Sequence, residues 1–112
     1  MQLTVEDLEG GVTRVILDGR LDIAGTGTID LRFNTIAGSR RSLVVDLSRV
    51  SFLASMGIRL LLTGAKAVQS KGGKMVLLSP GPEVEKALTM AGIDTVIPIY
   101  RDDAGAAAAV RR

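Results

Sequence analysis

The chain has 112 residues, 46% hydrophobic and 23% charged, with 14 basic and 12 acidic side chains and a formal net charge of +2. This length and balance describe a globular chain, expected to form one domain over residues 1–112, and exclude a disordered or strongly basic nucleic-acid-binding one. There is no cysteine and no histidine, which excludes disulfides, thiol nucleophiles, Cys/His zinc sites and Ser-His-Asp triads.

Aromatic residues make up only 3%, so the core is expected to be built from Leu, Ile, Val, Ala and Met. Leu3 to Leu8 reads as a first strand, Glu9-Gly10-Gly11 as a turn and Val12 to Gly19 as a second strand, together an antiparallel hairpin. Thr13, Val15 and Leu17 alternate with Arg14, Ile16 and Asp18, which gives the second strand one drier face. The glycines of Arg20 to Gly27 predict a loop. Thr28 then caps a helix whose inner face is Ile29, Phe33, Ile36 and Ala37, ending near Gly38-Ser39.

Leu43 to Leu47 is short, rich in valine and bounded by polar residues, as a buried strand is. Ser55 precedes a helical stripe of Ile58, Leu61, Leu62, Ala65 and Val68, which makes it a candidate N-cap, and Gly72-Gly73 supplies the left-handed stop. A hydroxyl at that end of a helix lies where a negative group is favoured. Lys74 to Leu78 is the next buried strand. Ser79-Pro80-Gly81-Pro82 breaks it and starts a helix with Glu83 and Glu85 in the first turn and Val84, Ala87, Leu88 and Ala91 facing inward, closed by Gly92. Thr95 to Tyr100 reads as a last strand, placed at a sheet edge by Pro98. Asp102 or Asp103 caps a final alanine-rich helix with Arg111 and Arg112 at its far end.

Strands alternating with helices predict an α/β fold in which neighbours are parallel and joined by right-handed crossovers, with the hairpin adding one antiparallel strand. The N-terminal residues lack the basic and apolar regions of a signal peptide, and no apolar run nears the roughly 20 residues that span a bilayer. The expectation is a soluble, cytoplasmic protein with no membrane insertion. The glycine pairs have neither the spacing nor the lysine of a phosphate loop. The carboxylates Glu83, Glu85, Asp102 and Asp103 fall where helix caps and first turns want them, so the reading is of a protein that is not an enzyme and holds no cofactor or metal. Arg40-Arg41 and Arg111-Arg112 read as solvated ends, with no direct nucleic-acid contact.

The run Asp46-Leu47-Ser48-Arg49-Val50-Ser51-Phe52-Leu53-Ala54-Ser55-Met56-Gly57-Ile58 resembles the signature of the STAS domains, and within them of the bacterial anti-sigma-factor antagonists. Gly19-Arg20-Leu21-Asp22, Gly72-Gly73, Ser79-Pro80 and Met90-Ala91-Gly92-Ile93 resemble its other landmarks, so the likeness runs almost end to end. It implies a mixed sheet of four to five strands, the first antiparallel and the rest mainly parallel, with about four helices mainly on one face. It implies that Ser55 is the phosphorylation site of a partner-switching serine kinase that is also the anti-sigma factor. Asp22, Ile23, Ala54, Ser55, Met56, Gly57 and Arg59 would then make the partner-binding surface. Unphosphorylated, the domain would hold the kinase and free a sigma factor; a phosphatase would reset it, with the domain a monomer or weak dimer. Ala54 stands where the family usually has Asp. That departure keeps an alternative in view: a STAS subunit or scaffold of a lipid-transport ATPase or stress-sensing complex, working without phosphorylation.

Overall fold

Aliphatic runs too short for helices and punctuated by Gly, Ser and Pro pair into one five-stranded sheet in the order β1-β2-β3-β4-β5. The computed structural model describes residues 1–111; Arg112, read with Arg111 as the basic end of the last helix, lies outside the described residues. The strands are β1 (Gln2–Leu8), β2 (Val12–Leu21), β3 (Ser42–Leu53), β4 (Lys74–Leu78) and β5 (Ile99–Tyr100). The helices are α1 (Ile23–Ser39), α2 (Ser55–Gln69), α3 (Pro82–Met90) and α4 (Asp103–Val110). β1 pairs antiparallel with β2 through a tight turn at Glu9–Gly11, and every later pairing is parallel. The mixed sheet, the antiparallel first strand and the edge position of the last strand match the expectation.

The two faces of the sheet are unequal. Leu43, Val45 and Leu47 of β3, with Val15 and Leu17 of β2 and Met75 and Leu77 of β4, face the main core, where Ile29 and Phe33 of α1, Leu61 and Val68 of α2 and Leu88 of α3 close over them. The alternate residues Val12, Val44, Val76 and Leu78 are covered by Ala106, Ala107 and Val110 of α4, which therefore lies on the opposite face. Asp102 caps α4, its carboxylate accepting the Gly105 N–H at 2.8 Å, and the Ser42 hydroxyl donates to the Val110 carbonyl at 2.6 Å.

Five local expectations are corrected, each because a tertiary contact overrides a local preference. Arg20 to Gly27 is not a loop: β2 runs on to Leu21, and α1 starts at Ile23 under an Asp22 cap, with Thr28 inside the helix and donating to the Gly25 carbonyl at 2.7 Å. Ser55 is not the N-cap of α2; β3 continues to Leu53 against β2, so the chain turns only after Ala54, and Ser55 is the first helical residue. On α2 the fully buried positions include Gly57, Leu60 and Gly64, while Ile58 and Leu62 only flank the core. The helix is rotated toward α1 because Gly64 lets the Phe33 ring approach: a Cβ there would come to 2.5 Å from it. Ala91 is exposed, and the last strand shrinks to two residues, since Ile93–Thr95 winds as a 3-10 turn that anchors buried Ile93 and Ile97.

One charge is held inside the α4 side of the sheet. The Asp46 side chain, only 4% exposed, accepts from Arg14 Nη2 at 2.5 Å and from the Ser48 N–H at 2.9 Å. Arg14 also lies 3.3 Å from Asp103 at the start of α4. Burial pushes the Asp46 carboxyl up, but the hydrogen bonds from Arg14 and Ser48 outweigh it and hold the carboxyl below its ordinary value. A depressed carboxyl stabilises the fold above its unfolded value near 3.9, and that contribution is lost as pH falls through the folded value. Asp46→Asn leaves the Arg14 charge without its closest partner and is expected to cost about 2–3 kcal/mol at pH 7. Urea unfolding of both proteins from pH 7 to pH 3 should show that gap narrowing toward acid; a gap independent of pH would count against the ion pair.

Candidate functional site

Two helix starts meet where β2 and β3 end. The strands keep their pairing to Leu21↔Leu53, and the Ala54 N–H then donates to the Leu21 carbonyl at 3.0 Å. Asp22 leads into α1 on one side of that bond and Ser55 into α2 on the other. Asp22 Oδ1 accepts the Gly25 N–H at 2.8 Å, a helix cap, and Asp22 Oδ2 accepts from Arg20 Nε at 3.2 Å. The Gly25 N–H, outweighing some desolvation and helped by Arg20, holds the Asp22 carboxyl below its usual value.

Glycines set how closely these pieces approach. A Cβ on Gly25 would lie 1.8 Å from the Arg20 carbonyl oxygen, and one on Gly57 would lie 2.8 Å from both Leu21 Cβ and Leu53 Cδ1. The residue types the sequence offers as loop formers thus serve close packing inside two helices.

Ser55 is exposed, and its hydroxyl has no protein partner among the described residues. The same strand ends and helix starts expose large apolar side chains: Ile23 at 76% exposure, Phe52 at 40% and Met56 at 39%. The Arg20 guanidinium lies over the Phe52 ring, 4.3 Å from its centroid, a contact worth about 0.5–1 kcal/mol at an exposed site. From here a groove runs between α1 and α2, lined by Thr26, Asp30, Met56, Arg59, Leu60 and Thr63. Such a surface, with exposed apolar side chains beside hydroxyl and charged groups, has the make-up of a protein-docking patch. Among the described residues no three His, Cys, Asp or Glu side chains gather to hold a metal, and no helix is long and apolar enough to cross a membrane.

Of the residues expected at a partner surface, Asp22, Ile23, Ala54, Ser55, Met56 and Arg59 lie on these two adjoining helix starts. Ile23, Ser55, Met56 and Arg59 are exposed, while Asp22 and Ala54 are half-buried. Gly57 is buried and shapes the surface from beneath. Sequence reasoning missed the pairing of Arg20 with Phe52 and the contribution of α1 through Thr26 and Asp30. The first needs the β2–β3 register; the second was hidden when the start of α1 was read as loop.

A five-stranded mixed sheet with an exposed serine opening its second helix defines a small α/β domain. The chain belongs to the STAS domain family, whose profile it matches over residues 6–106. It is 28% identical over 109 residues to the anti-sigma F factor antagonist of Paenibacillus polymyxa, covering 95% of this chain and 93% of that one. The crystal structure of an anti-sigma factor antagonist from Mycobacterium paratuberculosis matches with a TM-score of 0.88 at 28% identity, over 99% of this chain and 94% of the other. The Bacillus cell fate determinant SpoIIAA, solved in its phosphorylated form, shares the fold with a TM-score of 0.70 at 21% identity, over 93% of this chain and 96% of that one.

Because the site rests on the close approach at Gly57, Gly57→Ala is expected to destabilise the protein by about 1–3 kcal/mol through overpacking against Leu21 and Leu53. Chemical denaturation measures this. A variant as stable as the parent would show that the two strand ends have slack to give.

Proposed function

We propose that this protein is an anti-sigma-factor antagonist, a protein-binding switch and not an enzyme, acting in the cytoplasm and controlled by phosphorylation of Ser55. The observation that carries the reading is an exposed Ser55 hydroxyl, unpartnered among the described residues, at adjoining strand ends and helix starts that also expose Ile23, Phe52 and Met56, in a chain related over nearly its whole length to an antagonist of anti-sigma F factor. The unphosphorylated surface docks a serine kinase that is itself the anti-sigma factor, and this frees the sigma factor. Phosphorylation ends the docking and a phosphatase restores it. ATP and its metal belong to the kinase.

The physical chemistry supports a surface switch. A phosphate brings about −1.5 to −2 charges and a strong demand for hydration into the middle of an apolar patch, which opposes docking through desolvation. The same group at the first position of a long helix meets free N–H groups, so the fold tolerates it. SpoIIAA, of the same fold, exists in a phosphorylated form. Ala54 leaves the acceptor without an acidic neighbour, and its half-buried methyl offers the kinase nothing polar to hold.

With the cognate kinase, Ser55→Asp is expected to weaken binding by about 5- to 10-fold, the low end of ordinary couplings, because one carboxylate imitates a phosphate only in part. Ser55→Ala should remain bound when ATP is added, while the parent is released. Calorimetry with and without ATP reads both; two variants that bind and release like the parent would end the switch model. In a phosphorylation time course, Ala54→Asp is expected to react faster than the parent, and equal rates would remove any role for an acidic residue before the acceptor.

A further inference from the structure

Arg59 is exposed on α2 and, among the described residues, has no hydrogen bond or ion pair. It stands four residues after Ser55 on an unbroken helix, so the two side chains are neighbours on one surface. Helical side chains lean toward the helix N-terminus, which brings the guanidinium back over the turn that Ser55 begins. Its present neighbours are the groove residues Thr26, Asp30, Met56 and Thr63. Arg20, the other arginine near Ser55, is engaged: Asp22 holds its Nε and Phe52 lies under its plane.

We propose that Arg59 is the intramolecular receiver of a Ser55 phosphoryl group, and that pairing with it withdraws Arg59 from the groove between α1 and α2. The idea rests on the phosphorylation reading above for its biological use, but not for its test. Phosphorylation would then change the docking surface twice. It adds a dianion at Ser55 and, one helical turn away, removes the one arginine that lines the groove among the described residues. The direction of the pair, anion before cation at a spacing of four, is the favourable one for a helix, and a guanidinium offers the fork geometry that phosphate oxygens accept.

Phosphoserine installed at position 55 during translation, by suppression of an amber codon, makes the test independent of any kinase. Phosphorus NMR then follows the second ionisation of the phosphate, ordinarily near 6. A paired cation favours the dianion, so the phosphate in the parent background should titrate about 0.2–0.4 pH units below that in Arg59→Gln. Arg59→Lys should keep part of the shift, and Arg20→Gln should leave it in place. Equal titration of the parent and Arg59→Gln overturns the proposal, as does a shift that vanishes with Arg20→Gln alone. In binding assays with the cognate kinase, Arg59→Gln should weaken docking of the unmodified chain. It should also shrink the further loss caused by phosphoserine; full additivity of the two changes would overturn the withdrawal of Arg59. A positive titration result with no kinase that modifies Ser55 would reject the functional reading and leave the pairing standing.

Discussion

Everything at the site depends on β2 and β3 staying paired to the last residue of each. The pairing persists through two register shifts as far as Leu21↔Leu53 and is closed by the Ala54 N–H on the Leu21 carbonyl. That bond aligns two chain reversals. Asp22 and Ser55, far apart in sequence, become the opening residues of adjacent helices. Without the final pairs, Phe52 would lose Arg20, and the two helix starts would no longer be fixed beside each other. The glycines follow from the same constraint. Gly25 and Gly57 are needed because the strand ends are so close, and Gly64 because α1 and α2, once started side by side, remain in contact along their length.

Burial on both sheet faces explains why β3 is the centre of the structure. Leu43, Val45 and Leu47 feed the main core while Val44 faces α4, so the first half of the strand, from Leu43 to Leu47, reads as an apolar run interrupted only by Asp46. Asp46 is tolerable there because Arg14 of β2 and the Ser48 N–H both reach it. Its position at the last β3–β4 pair marks where β4 leaves and β3 goes on alone with β2 toward the site. At that point Ser79 adopts a left-handed backbone, φ 51°, which turns the chain away from the sheet toward α3.

What could be read from the sequence divides along physical lines. Strand alternation, the hairpin, the interior of α1 and an aspartate cap at Asp102 or Asp103 were legible because each rests on neighbours in sequence: Ile29, Phe33, Ile36 and Ala37 share a face wherever the helix starts, and the structure chooses Asp102. The starts of α1 and α2 were not. Glycines at 25 and 27 and a serine at 55 have local preferences for turns and caps, and those preferences lost to pairing and packing set by residues far along the chain. The candidate site was offered as a list, since most of the residues expected there lie within the signature-like run. Its shape was not, because Arg20 over Phe52 and the α1 wall of the groove come from register and from the rotation of α2.

Being first helical residue and not cap changes what Ser55 can do. A cap side chain is folded back on the N–H groups of its own helix, and modifying it would trade a stabilising hydrogen bond for a new group. Ala54 takes the cap position with no side-chain bond to lose, and its backbone groups are committed to the Leu21 carbonyl and the Ile58 N–H. The Ser55 hydroxyl therefore carries no structural duty that a phosphate would disrupt. On the proposed reading this is why a charge could be added and removed there repeatedly without touching the fold. The cost falls wholly on the partner, which would have to bury that charge against Ile23, Phe52 and Met56. A switch so placed gains its contrast from the apolar character of its surroundings: the more hydrophobic the docking surface, the greater the desolvation penalty that one phosphate imposes.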